Sequence, residues 1–316
     1  MHRRSGQLSL ADGLVAGVGG NARLERVDRL LDWGALASVV APIHSAPTGR
    51  PGYVPLAMVK ALLLQQWYGL SDPGLEEALG DRLSFRRFVG LALDEPVPDH
   101  ATISRFRKAL AEPGLAERLF AEVDRQLDGL GLMVKQGTLL DASLVAAQVR
   151  PPRPGAGLSS QADRDARWSR NADGKHFGYK VHIGLDQGSR LIRAGRLTRG
   201  NLNETSVADE LIVGDEAAVY ADKAYDSQAR RARLKAAGIK DRIMHRPHKS
   251  QPLSSRKRRR NRLIGPIRAA VEAVFGTLKR SYGYGRVRYR GLLANAAHFQ
   301  LLCIALNLRR AEVLCR

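Results

Sequence analysis

The hydrophobic period changes once along this chain, and that change limits what it can fold into. From about residue 24 to 130, apolar side chains recur three and four residues apart, the period of helices with one buried face. Capping signals cut this stretch into separate helices. Ser71-Asp72-Pro73 places a capping hydroxyl and then a proline ahead of Leu75-Glu76-Glu77-Ala78-Leu79, and Asp99 precedes the run Thr102 to Leu110. Pro96 and Pro98 enforce a turn between them. After Gly131 the apolar residues fall into short runs instead: Thr138-Leu139-Leu140, Tyr179 to Ile183, Leu191 to Leu197, and Ala218-Val219-Tyr220. These predict strands, the middle two forming a hairpin across Asp186-Gln187-Gly188-Ser189. Helical patterns follow at Glu204 to Ile212, Gln228 to Ala237, Ile264 to about Ser281 and Ala294 to about Glu312. The expectation is a helical domain over residues 1–130, followed by an α/β domain over 131–316. Composition marks two loops, Arg150 to Gly157 and the basic run Arg256-Lys257-Arg258-Arg259-Arg260.

With 316 residues, 44% of them hydrophobic and 26% charged, the chain is large and apolar enough for a full core, which excludes a disordered or disulfide-stapled protein. Its 51 Lys and Arg against 31 Asp and Glu give a formal net charge of +20. So large an excess points to a polyanionic partner, because Lys and Arg gain phosphate affinity by releasing condensed counterions. Nucleic acid fits, whereas a membrane surface would call for a helix pairing a Lys/Arg face with a Trp/Phe/Leu face, and none is evident. The two cysteines, Cys303 and Cys315, have no Cys/His partners at zinc-ligand spacing, and Cys303 reads as a core residue. Met1 to Gly6 lacks an apolar signal core, and the apolar stretch Val54 to Leu70 is broken by Lys60, Gln65 and Gln66. A cytoplasmic, nucleoid-associated protein is expected.

Two of the apolar runs finish in an acid: Leu139-Leu140-Asp141 and Val219-Tyr220-Ala221-Asp222. If those strands are parallel neighbours, both carboxylates stand together at the carboxyl ends, where open α/β sheets place their sites. Close carboxylates repel, and a divalent cation relieves the repulsion. An acid at a strand end also serves as a turn cap, and the pair alone leaves that reading open. Asp226 is set aside because Asp226-Ser227 directly precedes a helix and has a capping role of its own. In the later helix, Ile267, Val271, Val274, Phe275 and Leu278 form a buried stripe, and Arg268, Glu272 and Lys279 fall within an arc of roughly 40° beside it. Taken alone, Arg268 and Glu272 make an ordinary i,i+4 salt bridge.

The combination is more specific. Arg268-x3-Glu272-x6-Lys279 resembles the signature around the third acid of DDE transposases of bacterial insertion sequences, with Gly265 standing where that family usually has a tyrosine. Leu140-Asp141-Ala142-Ser143, Phe177 to His182 and Ala221 to Ser227 resemble further segments of the "insertion sequence five" group, and Val54 to Leu110 resembles its N-terminal domain. The resemblance implies a ribonuclease H-like α/β core, a mixed sheet with flanking helices behind an α-helical N-terminal domain. It also implies that Asp141, Asp222 and Glu272 hold Mg2+, with Mn2+ as a substitute. The implied activity is cleavage of double-stranded DNA at the terminal inverted repeats of an element and joining of its 3′-ends to target DNA. Arg268 and Lys279 would position phosphate, and pairing of two ends implies at least a homodimer on DNA. A stand-alone nuclease with the same core and a DNA-binding regulator derived from a transposase are the competing functions.

Two further regions are candidates for DNA contact. Thr102 to Leu110 puts Arg105, Arg107 and Lys108 on a short capped helix that follows another, as in a helix-turn-helix. A solvated basic face is the alternative. The run Arg256, Lys257, Arg258, Arg259 and Arg260 just before the Glu272 helix would lay positive charge along entering DNA, or remain a solvated loop. Trp168 is expected to anchor its loop in the core rather than stack on a base. Lys180 and His182 alternate along a strand and so would face the site, a satisfied, partly buried histidine being the alternative for His182.

Overall fold

Most helices of the N-terminal part begin where a short polar side chain can take their free amides. In the computed structural model, which describes residues 13, 19–43, 52–151, 162–171, 174–247 and 252–316, α1 (Ala22–Leu30) is capped by Asn21 and α2 (Trp33–Val40) by Asp32. Helix α3 (Pro55–Tyr68) opens on a proline and stops at Gly69, which takes the left-handed conformation at φ 64°. Ser71 caps α4 (Asp72–Asp81); then come α5 (Leu83–Val89), α6 (His100–Leu110) capped by Asp99, and α7 (Leu115–Gly129). Leu62, Leu63 and Leu64 of α3 are buried, as are Leu75, Leu79, Phe85, Ile103 and Leu110 of the helices that follow. The connection from α5 to α6, Gly90 to Asp99, is folded around buried Arg86, whose guanidinium donates to the carbonyls of Ala92, Leu93 and Glu95. That link is far longer than the three- or four-residue turn of a helix-turn-helix, so the expected motif is not formed.

After Gly131 the strands assemble as one sheet: β1 (Thr138–Ala146), β2 (Arg167–Asn171), β3 (Gly174–Asp186), β4 (Ile192–Arg199), β5 (Ala218–Ala221) and β6 (Lys240–Ile243). Spatially the order is β4-β3-β1-β5-β6, with β2 also pairing along β3. The β1–β3 and β3–β4 pairs are antiparallel, while β1–β5 and β5–β6 are parallel. This mixed sheet with flanking helices is a ribonuclease H-like arrangement. The β3–β4 hairpin turns where expected, because the Asp186 carboxylate accepts from Ser189 N, Ser189 Oγ and Lys135 N. Between β4 and β5 lie α8 (Glu204–Val207) and a 3-10 turn, Ala208–Leu211; α9 (Gln228–Ala236) follows β5.

Sheet alternation separates the two faces. Leu140, Val219 and Ala221 join a buried cluster with Leu211, Tyr225, Leu234 and Ile243. Helix α10 (Ser255–Ser281) also packs on β1 and β5, and the chain ends with α11 (Leu292–Leu314).

Four expectations need correction. The basic run Arg256 to Arg260 is helical, not a loop: Ser254 caps α10 and its first turns are these residues. Strong helix propensity of Arg and Lys outweighs the polarity that suggests a loop. Strands β2 and β6 are absent from the sequence-based expectation, Arg-Trp-Ser-Arg-Asn and Lys-Asp-Arg-Ile being too polar to announce a strand. Trp168 is 53% exposed on β2, its ring 5.5 Å from Phe177, rather than a core anchor. The chain divides into two units, Met1–Leu130 with Gln300–Arg316, and Gly131–Phe299, so the last residues group with the helical part rather than with 131–299. Residues 152–161, which include most of the expected Arg150 to Gly157 loop, and the N-terminal Met1 to Gly6 lie outside the described residues. Cys303 is fully buried, as a core residue should be. Leu292–Leu314 is long and apolar enough to cross a membrane by length and composition, and 67% of its most apolar window is buried within the protein.

Candidate active site

Asp141 and Asp222 are adjacent because of the β1–β5 register. The parallel pairing runs Thr138 with Val219, Leu139 with Tyr220, and Leu140 with Ala221, and the next residue on each side is an aspartate. Asp141 is not at the end of its strand, since β1 continues to Ala146 against β3; it stands where β5 stops covering β1. Each carboxylate takes one local amide, Asp141 from Ala142 N at 2.9 Å and Asp222 from Lys223 N at 2.6 Å. Asp222 therefore does cap a turn, the 3-10 turn Lys223–Tyr225, in addition to standing beside Asp141.

Between the two stands a cation from α10. Arg268 Nη2 lies 3.0 Å from Asp141 Oδ2, and Nη1 lies 3.9 Å from Asp222 Oδ1. The buried positions of α10 are Ile264, Arg268, Val271, Phe275 and Leu278, so the arginine occupies a core position of the stripe and not its edge. It is tolerated there because its charge is answered by the two acids. Burial pushes the Asp141 carboxyl up to about 6 against the pull of Arg268, and the charges of Glu204 and Asp222 add to the upward push.

Glu272 lies one turn beyond Arg268 on the same helix and is exposed. Among the described residues Arg268 pairs with Asp141 and Asp222 rather than with Glu272, the partner that i,i+4 spacing taken alone would give it. Among the described residues no three acids, histidines or cysteines converge closely enough to hold a metal ion. The two aspartates nonetheless suit a hard divalent cation: they offer adjacent carboxylate oxygens, one of them largely buried, already arranged around a positive charge.

Sequence reasoning missed two residues around this pair and left a third undecided. Glu204, at the start of α8, acts on Asp141 and Tyr225 through its charge and is tied to Lys180 Nζ at 3.2 Å. An acid in a first helical turn reads as a complement to the helix dipole, which concealed it. Tyr225 is buried with its hydroxyl unpartnered among the described residues, and burial, followed by the charge of Glu204, holds that hydroxyl well above its ordinary range. Lys180, expected to face the site, reaches Glu204. His182 is fully buried, bonded through Nε2 to Thr198 Oγ1 at 2.9 Å, and burial lowers it to about 3, so it stays neutral. Asp226 is engaged elsewhere, with Arg231 at 2.9 Å and Arg246 N at 3.1 Å, while Ser227 rather than Asp226 caps α9.

Of the cations expected on DNA, Arg105 and Lys108 are exposed on α6, whereas Arg107 is 7% exposed and paired with Asp72 of α4. Arg107 is thus part of an internal ion pair. Arg256, Lys257, Arg258 and Arg259 are exposed, as is Lys279; Arg260 is half-buried and held by Asp241 at 3.1 Å.

Residues 16–109 match the family described as Transposase domain (DUF772), and residues 133–308 match Transposase DDE domain. Among solved structures, the chain is similar to piggyBac transposase in a synaptic complex with hairpin DNA, at 9% identity and TM-score 0.45, covering 94% of this chain and 73% of that one. It is also similar to Mos1 transposase in a pre-cleavage transpososome, at 12% identity and TM-score 0.21, covering 86% and 81%. The DDE match takes in β1 through most of α11, more than half of the sequence, and the chain belongs to the DDE transposases.

Proposed function

We propose that this DNA transposase cuts and joins strands at the site formed by Asp141 and Asp222, with Glu272 as the third acid. The observation that carries this reading is the pair of aspartates brought side by side by strand register around a largely buried cation. Asp141, Asp222 and Glu272 are the residues that would hold the divalent ions the family uses, Mg2+ first and Mn2+ in its place. Held there, the ions would supply activation of a water or a 3′-hydroxyl and stabilisation of the leaving oxygen in an in-line displacement.

The protein's own groups prepare that chemistry. Asp141 is held in a dry position where its charge is strongly felt, and Asp222 is fixed by the amide of Lys223. Arg268 and Lys279 are the cations of α10 that would position phosphate. Arg256 to Arg259, on the first turns of the same helix, would guide the DNA backbone, and Arg105 with Lys108 would contact DNA from the helical unit. The substrates are the element's terminal inverted repeats and target DNA, and two ends held together call for a homodimer. The cytoplasm and its nucleoid are where such a substrate is found.

The test is Asp141→Asn. It should abolish Mg2+- or Mn2+-dependent cleavage while leaving DNA affinity within about twofold, since affinity rests on cations that meet the phosphate backbone and not on a buried carboxylate. Supplying the wild type with a pre-cut element end should yield joined product. Hydrolysis without joining would reduce the chain to a nuclease, and cleavage surviving in Asp141→Asn would remove the acid from the site.

A further inference from the structure

We infer that Arg268 is a shared counter-ion that couples metal entry to DNA: in the free protein it fills the cation position between Asp141 and Asp222, and it yields that position when a DNA phosphate takes its guanidinium. This rests on the reading that those two aspartates are the metal-binding acids. Three observations lead to it. The guanidinium reaches both carboxylates at once, at 3.0 and 3.9 Å, from a position 9% exposed. Its Nε is buried with no hydrogen-bond partner among the described residues, so the fork is not saturated by the acids it now touches. And Arg268 belongs to the helix whose outer turns carry the exposed Arg256, Lys257, Arg258 and Arg259, so a DNA strand drawn along α10 would pass the turn that carries it.

The coupling is a competition. A guanidinium and a divalent cation between the same two carboxylates repel each other, so each weakens the other's binding. Without a phosphate, the ion pairs of Arg268 among the described residues are those with Asp141 and Asp222, and leaving the acids would strand a buried charge. With a phosphate present, the planar fork can pair bidentately with it and vacate the carboxylates. Binding of DNA and of metal then become mutually favourable, as linkage requires of any such coupling. A transposase built this way keeps its acids neutralised and its metal site closed until DNA is in place.

Mn2+ binding to the whole protein, read from the loss of the free-ion electron paramagnetic resonance signal, tests this without any turnover. Arg268→Gln should bind Mn2+ in the absence of DNA about tenfold or more tightly than wild type, because a like charge has been removed from the site. Adding a duplex that carries the element's end, with its own Mn2+ uptake subtracted, should tighten wild-type binding and leave the variant nearly unchanged. Arg268→Lys, whose ammonium cannot span both acids, should fall between the two and serves if the Gln variant does not fold. Equal or weaker Mn2+ binding by Arg268→Gln, with Asp141→Asn losing it, would overturn the coupling and keep the metal site. Undiminished Mn2+ binding by Asp141→Asn would instead overturn the assignment of the acids.

Discussion

Helix α10 carries arginines of two kinds. Its first turns hold Arg256, Arg258, Arg259 and Lys257, all exposed, against the positive end of the helix dipole and with no acid in the first turn to offset them. Further along, Arg268 is buried and spoken for by Asp141 and Asp222. The same side chain is in one place a solvent-facing charge and in the other a fixed counter-ion. What separates them is the sheet: the middle of the helix lies on β1 and β5 at the point where their register presents two carboxylates. A row of cations placed against the helix dipole is locally unfavourable, and a polyanion is what would reverse that.

Changing Arg256, Lys257, Arg258 and Arg259 together to Gln should produce the largest effect. DNA affinity near 0.1 M salt should fall on the order of 100-fold, and the slope of log K against log salt should flatten by roughly three to four, at about 0.9 for each phosphate no longer neutralised. Folding stability should hold or rise by a few tenths of a kcal/mol, because cations leave the wrong end of a dipole. Salt titrations of DNA binding beside urea unfolding measure both, and an unaltered salt slope would make the outer turns a merely solvated face.

The two kinds of arginine also mark how far the sequence is legible. The existence of β1, β3, β4 and β5 and the hairpin at Asp186 to Ser189 follow from apolar runs, and the acids that close two of them mark Asp141 and Asp222 as neighbours if those strands pair in parallel. Parallel pairing stays conditional at that level, because nothing local in Ala218 to Ala221 says which strand it joins. Arg268 reads as an edge residue of its stripe, since a charge at a core position is legible only when its partners, here 127 residues away for Asp141, are known. For the same reason Arg107 resembles a DNA contact until Asp72 is seen beside it. Glu204 escapes notice because the groups it acts on, Lys180 and Asp141, come from two separate strands.

Burial treats charge differently at His182, which sits one register position away from Asp141's partner on β3 and remains neutral. The sign follows from linkage. Its folded-state value, lowered to about 3 by burial and then by Lys180, lies below the ordinary 6.5, so its contribution is complete above that ordinary value. As the pH falls through the interval, the unfolded chain takes the proton first, and about 2 kcal/mol of stability should be gone by about pH 5. Urea unfolding of wild type and His182→Gln across this range checks it: the variant should show a flatter decline, and parallel curves would mean that the imidazole is not what the acid attacks.

The smallest expected effect sits at the junction of the two halves of α10, Gly265-Pro266. Proline inside the helix removes one amide from the helical ladder, and the glycine before it is the residue with the greatest backbone freedom, yet the helix runs on through both. Beyond its own helix backbone and chain neighbours, a Cβ added at 265, where the family usually carries a tyrosine, would meet only Met244 Cε, at 3.8 Å, which leaves the Pro266 ring as its crowded side. Gly265→Ala should accordingly shift stability by less than about 1 kcal/mol, the reduced entropy of the unfolded chain being opposed by the clash of the new Cβ with the Pro266 ring, read from the urea midpoint. If the outer turns only gather DNA and Arg268 only answers the acids, a stiffer joint changes neither DNA affinity nor Mn2+ binding. Should either drop at that nearly unchanged stability, the two halves move against each other at Gly265, and the outer arginines and Arg268 respond to DNA as one linked device.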